Sequence, residues 1–241
     1  MLRTVFRDVI RLIRSPRWTI DRLHEIDPIY HFTGRKITHD DLTRFGDEFA
    51  VSESALIVHS EIDCSQFLED YTALPDHYMA YDRYLEELQD IPDERYDQVI
   101  AMGVFEHVTD PSRLLKDCHR VLKPGGHLYV SASFAFSVHN GPQNYFHVSP
   151  YGMEHLLEDQ DWTSVDIRGS CGPFKTVGIL LQRILLQCRT RPIIRPLVAL
   201  LAYAIPILDR FVITQYDHVD FSRGTTIDSM LPSNIQMIAE K

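Results

Sequence analysis

The residues of this chain best suited to moving a proton are His107, His139 and His147, and Tyr145 and Glu106 lie close to them in the sequence as candidates for contact with a bound molecule. Each of the three histidines follows a stretch that reads as the end of a strand, where an open sheet presents its loops. An imidazole titrates near neutrality and can act as a general base. The chain holds 12 histidines, so most have no such part. His107 reads first as an anchor for its own loop. His139 and His147 are candidate bases lining a pocket, with plain surface exposure as the alternative. Tyr145 is a candidate for positioning a substrate, with a core-facing ring as the alternative. Glu106 is a candidate contact for a cofactor or for a cationic acceptor, with a backbone cap as the alternative. The four cysteines, Cys64, Cys118, Cys171 and Cys188, form no Cys-x-x-Cys pair, and no Cys/His cluster has zinc spacing. No metal site is expected. Free thiols point to a reducing, cytoplasmic compartment.

The elements that must hold these residues are well punctuated. Residues 55–58 (Ala-Leu-Ile-Val) and 96–102 (Tyr-Asp-Gln-Val-Ile-Ala-Met) are apolar runs of the kind found in buried parallel strands, and residues 78–81 are a weaker candidate. Asp110 can cap a helix whose first position is Pro111 and whose apolar face is Leu114, Leu115, Cys118, Val121 and Leu122. Lys123-Pro124-Gly125-Gly126 ends that helix, and the two glycines permit a tight return to a strand at 127–133. Ser149 and Pro150 start another helix, with Met153, Leu156 and Leu157 facing inward. Residues 218–221 and 234–239 read as further strands. Alternation of strand and helix implies a mainly parallel sheet with helices on both faces.

The chain has 241 residues and a net charge of −10, which excludes nucleic acid as the main partner. The charge is uneven. Residues 1–17 hold five Arg and one Asp, and residues 166–211 hold seven Arg or Lys and two Asp. Residues 1–14 read as an amphipathic helix with the stripe Leu2, Val5, Phe6, Val9 and Ile13. Such a helix packs on its own domain or lies on an anionic membrane. Arginines interrupt its apolar residues too often for a signal peptide. Residues 176–208 are oily, but their longest uncharged run, 196–208, is shorter than the ~20 residues that a spanning helix needs. They read as a cap over a site or as an interfacial hairpin. The expected organisation is an N-terminal helical extension at 1–50 and a domain at 51–241 with a hydrophobic helical insertion at about 172–213.

The run Tyr96-Asp97 through Phe105-Glu106-His107-Val108, then Asp110-Pro111, then Arg120-Val121-Leu122-Lys123-Pro124-Gly125-Gly126, resembles the class I S-adenosylmethionine-dependent methyltransferases. His139, Pro142, Asn144, Tyr145 and Phe146, and the terminal stretch 232–241, are similar to the same family. The resemblance implies a Rossmann-like, doubly wound, mostly parallel sheet with an antiparallel last strand. It implies S-adenosyl-L-methionine as cofactor and methyl transfer to a small-molecule, glycan or lipid-linked acceptor. It would place His59, Ser60, Asp82, Leu88, Met102, Gly103 and Phe105 at the cofactor. Asp82, 22 residues after Ser60, is the acid expected at the ribose hydroxyls. Where the family has a glycine-rich turn, residues 59–64 (His-Ser-Glu-Ile-Asp-Cys) contain no glycine. The alternative is a methyltransferase-like protein without catalysis, acting as a partner or scaffold. A nicotinamide-dependent oxidoreductase would need a GxGxxG turn, which nothing here supplies.

Overall fold

The computed structural model describes residues 34–59, 62, 64, 72–74, 82–219 and 226–241. The expected helix at 1–14, the candidate strand at 78–81 and Ser60 lie outside these residues. The chain divides into two compact units, one of residues 41–170 and 234–241, the other of residues 1–40 and 171–233.

The first unit is a sheet with helices. In chain order it contains the end of α1 (Gly34–Gly46), β1 (Ala55–Ile57), β2 (Thr72–Ala73), α2 (Arg83–Gln89), β3 (Tyr96–Met102), α3 (Pro111–Val121), β4 (Leu122–Ser133), α4 (Pro150–Leu157), β5 (Ser164–Ser170) and β6 (Asn234–Glu240). The sheet runs in the order β2-β1-β3-β4-β6-β5. Its first four strands are parallel, and β6 is antiparallel to both β4 and β5. This is the expected doubly wound, mostly parallel sheet with an antiparallel last strand.

Successive side chains of the strands point to opposite faces, and both faces are covered. Leu56, Val99, Leu128 and Val130 face one core with Leu88 of α2, Leu114, Leu115, Cys118 and Val121 of α3, and Met153 of α4. Ile57, Ile100, Met102 and Tyr129 face a second core with Cys64 and with Phe45 and Phe49 at the end of α1. The Phe49 and Tyr129 rings stack with centroids 3.7 Å apart. Burial of each large aliphatic side chain contributes about 1.5–3 kcal/mol.

The motif residues are largely scaffold. The Asp110 side chain accepts from Arg113 N at 2.9 Å and caps α3, with Pro111 at its first position. Lys123 reaches across from β4 to Asp97 on β3 at 2.8 Å. The Arg120 guanidinium donates to the carbonyls of Leu88 and Ile91 and to Asp93 and Asp117, tying the entry to β3 onto α3. Gly125 has φ +76°, and a Cβ on Gly126 would lie 2.9 Å from the Lys123 carbonyl oxygen.

Three points on strands go beyond the sequence reading. The second strand of the described sheet is Thr72–Ala73, and the candidate at 78–81 lies outside the described residues. Of the expected strand at 218–221, residues 218 and 219 are a bend and the rest lies outside the described residues, which nearby hold one isolated bridge, Gln215 to Ile227. Strand β5 was not anticipated: its pattern of exposure shows little alternation because it is an edge strand.

The second unit is helical where described. Helices α5 (Pro173–Gln187) and α6 (Arg195–Ala204) are followed by a 3-10 segment, Ile205–Phe211. The Asp209 carboxylate accepts from Phe174 N at 2.8 Å and Lys175 N at 3.0 Å, and so caps α5 from a distant point in the sequence. A Cβ on Gly178 would lie 2.5 Å from the Pro206 ring, so α5 and the 3-10 segment meet backbone to ring. A cleft of about 690 Å³ is lined by Pro173, Lys175, Asp209, Ile213, Gln215 and Asp228, among others, and by no expected site residue. Ile193, Leu197, Leu200, Phe211 and Ile213 are exposed. No helix among the described residues is long and apolar enough to cross a membrane.

Candidate active site

Strands β1, β3 and β4 run parallel and end together, with Ile57 beside Ile100 and Met102 beside Ser131. In an open sheet of this kind the loops past the carboxyl ends form the ligand crevice. The loop after β1 begins at His59, which has φ +42°, a left-handed conformation that glycine adopts more readily. Its carbonyl accepts from Met102 N at 3.1 Å, joining the first loop to the end of β3. Past it, Ile62 packs on the second core and Cys64 is buried within it.

Gly103 follows β3 with φ +68°, and its N–H donates to Ser131 O at 3.0 Å. A 3-10 turn, Phe105–His107, comes next. Asp82 stands at the start of α2, where its Oδ1 accepts from Thr109 N at 2.9 Å and Thr109 Oγ1 at 2.8 Å. The acid therefore lies against the loop after β3. Leu88 and Phe105 are buried in the first core and Met102 in the second, so all three side chains are occupied in packing.

The loop between β4 and α4, residues 134–149, folds back on the β3 loop. Tyr145 N donates to Glu106 O at 2.8 Å, and His107 Nδ1 meets the Gln143 carbonyl. His107 thus anchors its loop, as read from the sequence. Glu106 is only 4% exposed. Its Oε1 accepts from Ser133 Oγ at 2.6 Å and stands 3.7 Å from His139 Nε2, while Oε2 has no hydrogen-bond partner. His139 Nδ1 lies 3.0 Å from Ser137 O. The His107 and His139 ring centroids are 4.9 Å apart, and those of His139 and His147 are 6.3 Å apart. His147 and the Tyr145 ring are exposed.

The structure therefore gathers Glu106, His107, His139 and His147 in one place and reaches Tyr145 through its backbone. Asp82 sits one loop away with Thr109. Ser133, Ser137, Gln143 and Thr109 were not anticipated as partners. Ser133 could have been found, because it ends the strand beside the one that Glu106 follows.

This sheet, doubly wound with an antiparallel edge, has the Rossmann-like arrangement, and its motif-bearing loop lies past the carboxyl ends of the parallel strands. Residues 71–130 match the family model described as "Methyltransferase domain". That match falls on the segment from which the resemblance was read, and the resemblance to S-adenosylmethionine-dependent methyltransferases holds there. A ubiquinone biosynthesis O-methyltransferase from Alkalilimnicola ehrlichii is 35% identical over 74 residues, covering 31% of this chain and 28% of that protein. The same enzyme from Pseudomonas syringae pv. tomato is 33% identical over 72 residues, covering 30% and 28%. The match thus spans under a third of the length of these relatives. A SAM-dependent methyltransferase from Archaeoglobus fulgidus superposes with a TM-score of 0.46 at 16% identity, covering 86% of this chain and 94% of that one.

Proposed function

We propose that this protein transfers a methyl group from S-adenosylmethionine to a small-molecule, glycan or lipid-linked acceptor. The observation that carries this reading is the placement of Asp82 and Gly103 beside the carboxyl end of β3, within the segment that matches the methyltransferase-domain family. The residues present suit that cofactor. Asp82 Oδ1 is held by Thr109, which directs the carboxylate and leaves Oδ2 for a ribose hydroxyl. Gly103 puts no side chain into the loop. His59 takes the backbone conformation that a glycine turn would supply. Leu88, Met102 and Phe105 support the site from within the two cores. When bound, the cofactor supplies an electrophilic methyl group, and the protein's task is to hold an acceptor atom in line and away from water.

His147 is the better placed proton acceptor, being exposed beside the cluster. Both nitrogens of His139 face other groups, Ser137 O and Glu106. Tyr145, held by its backbone to Glu106 O, would position the acceptor with its exposed ring.

Calorimetric titration of the purified protein with S-adenosylmethionine and S-adenosylhomocysteine tests the reading. Micromolar binding that Asp82→Ala weakens at least about tenfold, the loss of one charge-assisted hydrogen bond, is the expected result. A folded protein that ignores both ligands at millimolar concentration would instead be a non-catalytic partner or scaffold, which the absent glycine turn favours.

A lipid-proximal acceptor is supported by the exposed apolar residues of α5, α6 and the 3-10 segment together with Arg189, Arg191 and Arg210 at the surface. Apolar area and cationic charge together give an interfacial helix its affinity for anionic lipid. The protein should float with liposomes containing phosphatidylglycerol, less so as salt is raised. Failure to float at low salt would leave a soluble acceptor.

A further inference from the structure

The geometry points to a binding site for one divalent transition metal ion of the zinc type, formed by Glu106, His107 and His139. One ligand atom from each residue lies within 4.8 Å of the other two. His139 Nε2 and Glu106 Oε1 are 3.7 Å apart. Ligands bound to one zinc ion at about 2.0–2.2 Å stand a little over 3 Å apart in a tetrahedron.

The hydrogen-bond pattern around the cluster orients it for a cation. A backbone carbonyl only accepts, so the ring nitrogen that meets it carries the proton. His107 Nδ1 meets Gln143 O, and His139 Nδ1 meets Ser137 O. In the neutral imidazole this puts the lone pair of both rings on Nε2. A ligating histidine is held by the same device, its second nitrogen donating to a carbonyl or carboxylate. The third member is a carboxylate 4% exposed. Ser133 Oγ satisfies Glu106 Oε1, and Oε2 is buried with no hydrogen-bond partner. A buried carboxylate with an unpartnered oxygen is unfavourable unless a cation neutralises it. A buried carboxylate and two imidazoles gathered within ligand reach therefore complement a metal ion.

The donor set chooses the metal. Two imidazoles and one carboxylate suit zinc and its first-row neighbours, whereas magnesium and calcium favour all-oxygen shells. Three protein ligands leave a fourth position open, as in zinc sites that bind water or a substrate oxygen. The cluster sits in the loops past β3 and β4, where the acceptor is proposed to enter. The metal site itself does not depend on the methyl-transfer reading, because it is measured without S-adenosylmethionine.

The test uses the full chain, stripped of metal by a chelator and titrated with zinc chloride or, separately, cobalt chloride. The wild-type protein should retain one zinc per chain through gel filtration, and its cobalt form should show the strong visible bands of a four-coordinate ion. Glu106→Gln keeps the shape and removes the charge. His139→Asn removes a ligand from a partly exposed position. Each should lower zinc affinity at least about 100-fold. His155→Ala, at an exposed histidine paired with Glu158, should bind as the wild type does. Circular dichroism melting without metal establishes that the variants fold, and if one does not, the other carries the comparison. Failure of the wild type to retain zinc would overturn the site, as would equal retention by Glu106→Gln and His139→Asn.

Discussion

Cys118 shows what burial does to a single ionisable side chain. Its thiol is pushed up to about 12 by burial, with the neighbouring Asp117 adding to the rise and Arg120 opposing it. The native thiol therefore stays protonated while an unfolded one ionises near 9.0. The stabilising difference is complete below 9.0 and is lost as pH rises toward 12. The sign follows from proton counting: between those two values the native chain holds a proton that the unfolded chain has released, so rising pH favours unfolding. Urea denaturation should show stability falling across that window. Cys118→Ala should remove a part of the slope, up to about 1.4 kcal/mol per pH unit. At this scale the sequence was legible where the contact is local. Asp110 and Pro111 mark their helix by adjacency alone. The meeting of Glu106, Ser133 and His139 is tertiary: two neighbouring strand ends and a returning loop bring together residues with no fixed spacing, so no motif announces it. His59 was legible only as a missing glycine, and its left-handed backbone is the structural answer to that absence.

Among the elements, β3 was readable as an apolar run, α3 as a strongly one-sided helix and residues 127–133 of β4 by their alternation, although β4 begins earlier, at Leu122, where the sequence reads as the end of the helix. The two-residue β2 and the edge strand β5 were not, since neither buries enough to leave a pattern. The return from α3 into β4 depends on two glycines for different reasons. Gly125 has φ +76°, and a Cβ placed there would meet nothing within 4 Å, so Gly125→Ala meets backbone strain alone. It should cost about 1–2 kcal/mol. At Gly126 a Cβ would lie 2.9 Å from Lys123 O and 3.0 Å from Asp97 O, both backbone atoms. Gly126→Ala should therefore cost more, about 2–4 kcal/mol, because the α3–β4 return and β3 must move apart. Urea midpoints of the two variants, compared at equal slope, check the order. An equal loss would mean that the close approach at Gly126 is relieved without strain.

For the whole molecule, the sequence reading is an N-terminal extension at 1–50 and a domain at 51–241 with a hydrophobic helical insertion at about 172–213. The structure divides instead into a unit of residues 1–40 and 171–233 and a unit of residues 41–170 and 234–241. Within the sheet, Ser170 at the end of β5 is the register partner of Asn234 at the start of β6. The chain leaves the sheet and re-enters it at one rung of one ladder. Replacing residues 171–233 by a two-residue Asn-Gly turn should leave a protein that unfolds in one cooperative step with its strand signal intact, read by circular dichroism in urea. Loss of cooperative unfolding would show that the sheet needs the inserted residues.

That shared rung also carries a kinetic consequence. Among the described strands β5 has a single neighbour, β6, and everything between them must be spanned before the pair can form. Closing so long a loop costs about 2.5 kcal/mol more than closing a tight hairpin. The edge of the sheet should then be the last region to gain protection from hydrogen exchange during refolding, and prior compaction of the inserted helices would hasten it by bringing the two ends of the loop together.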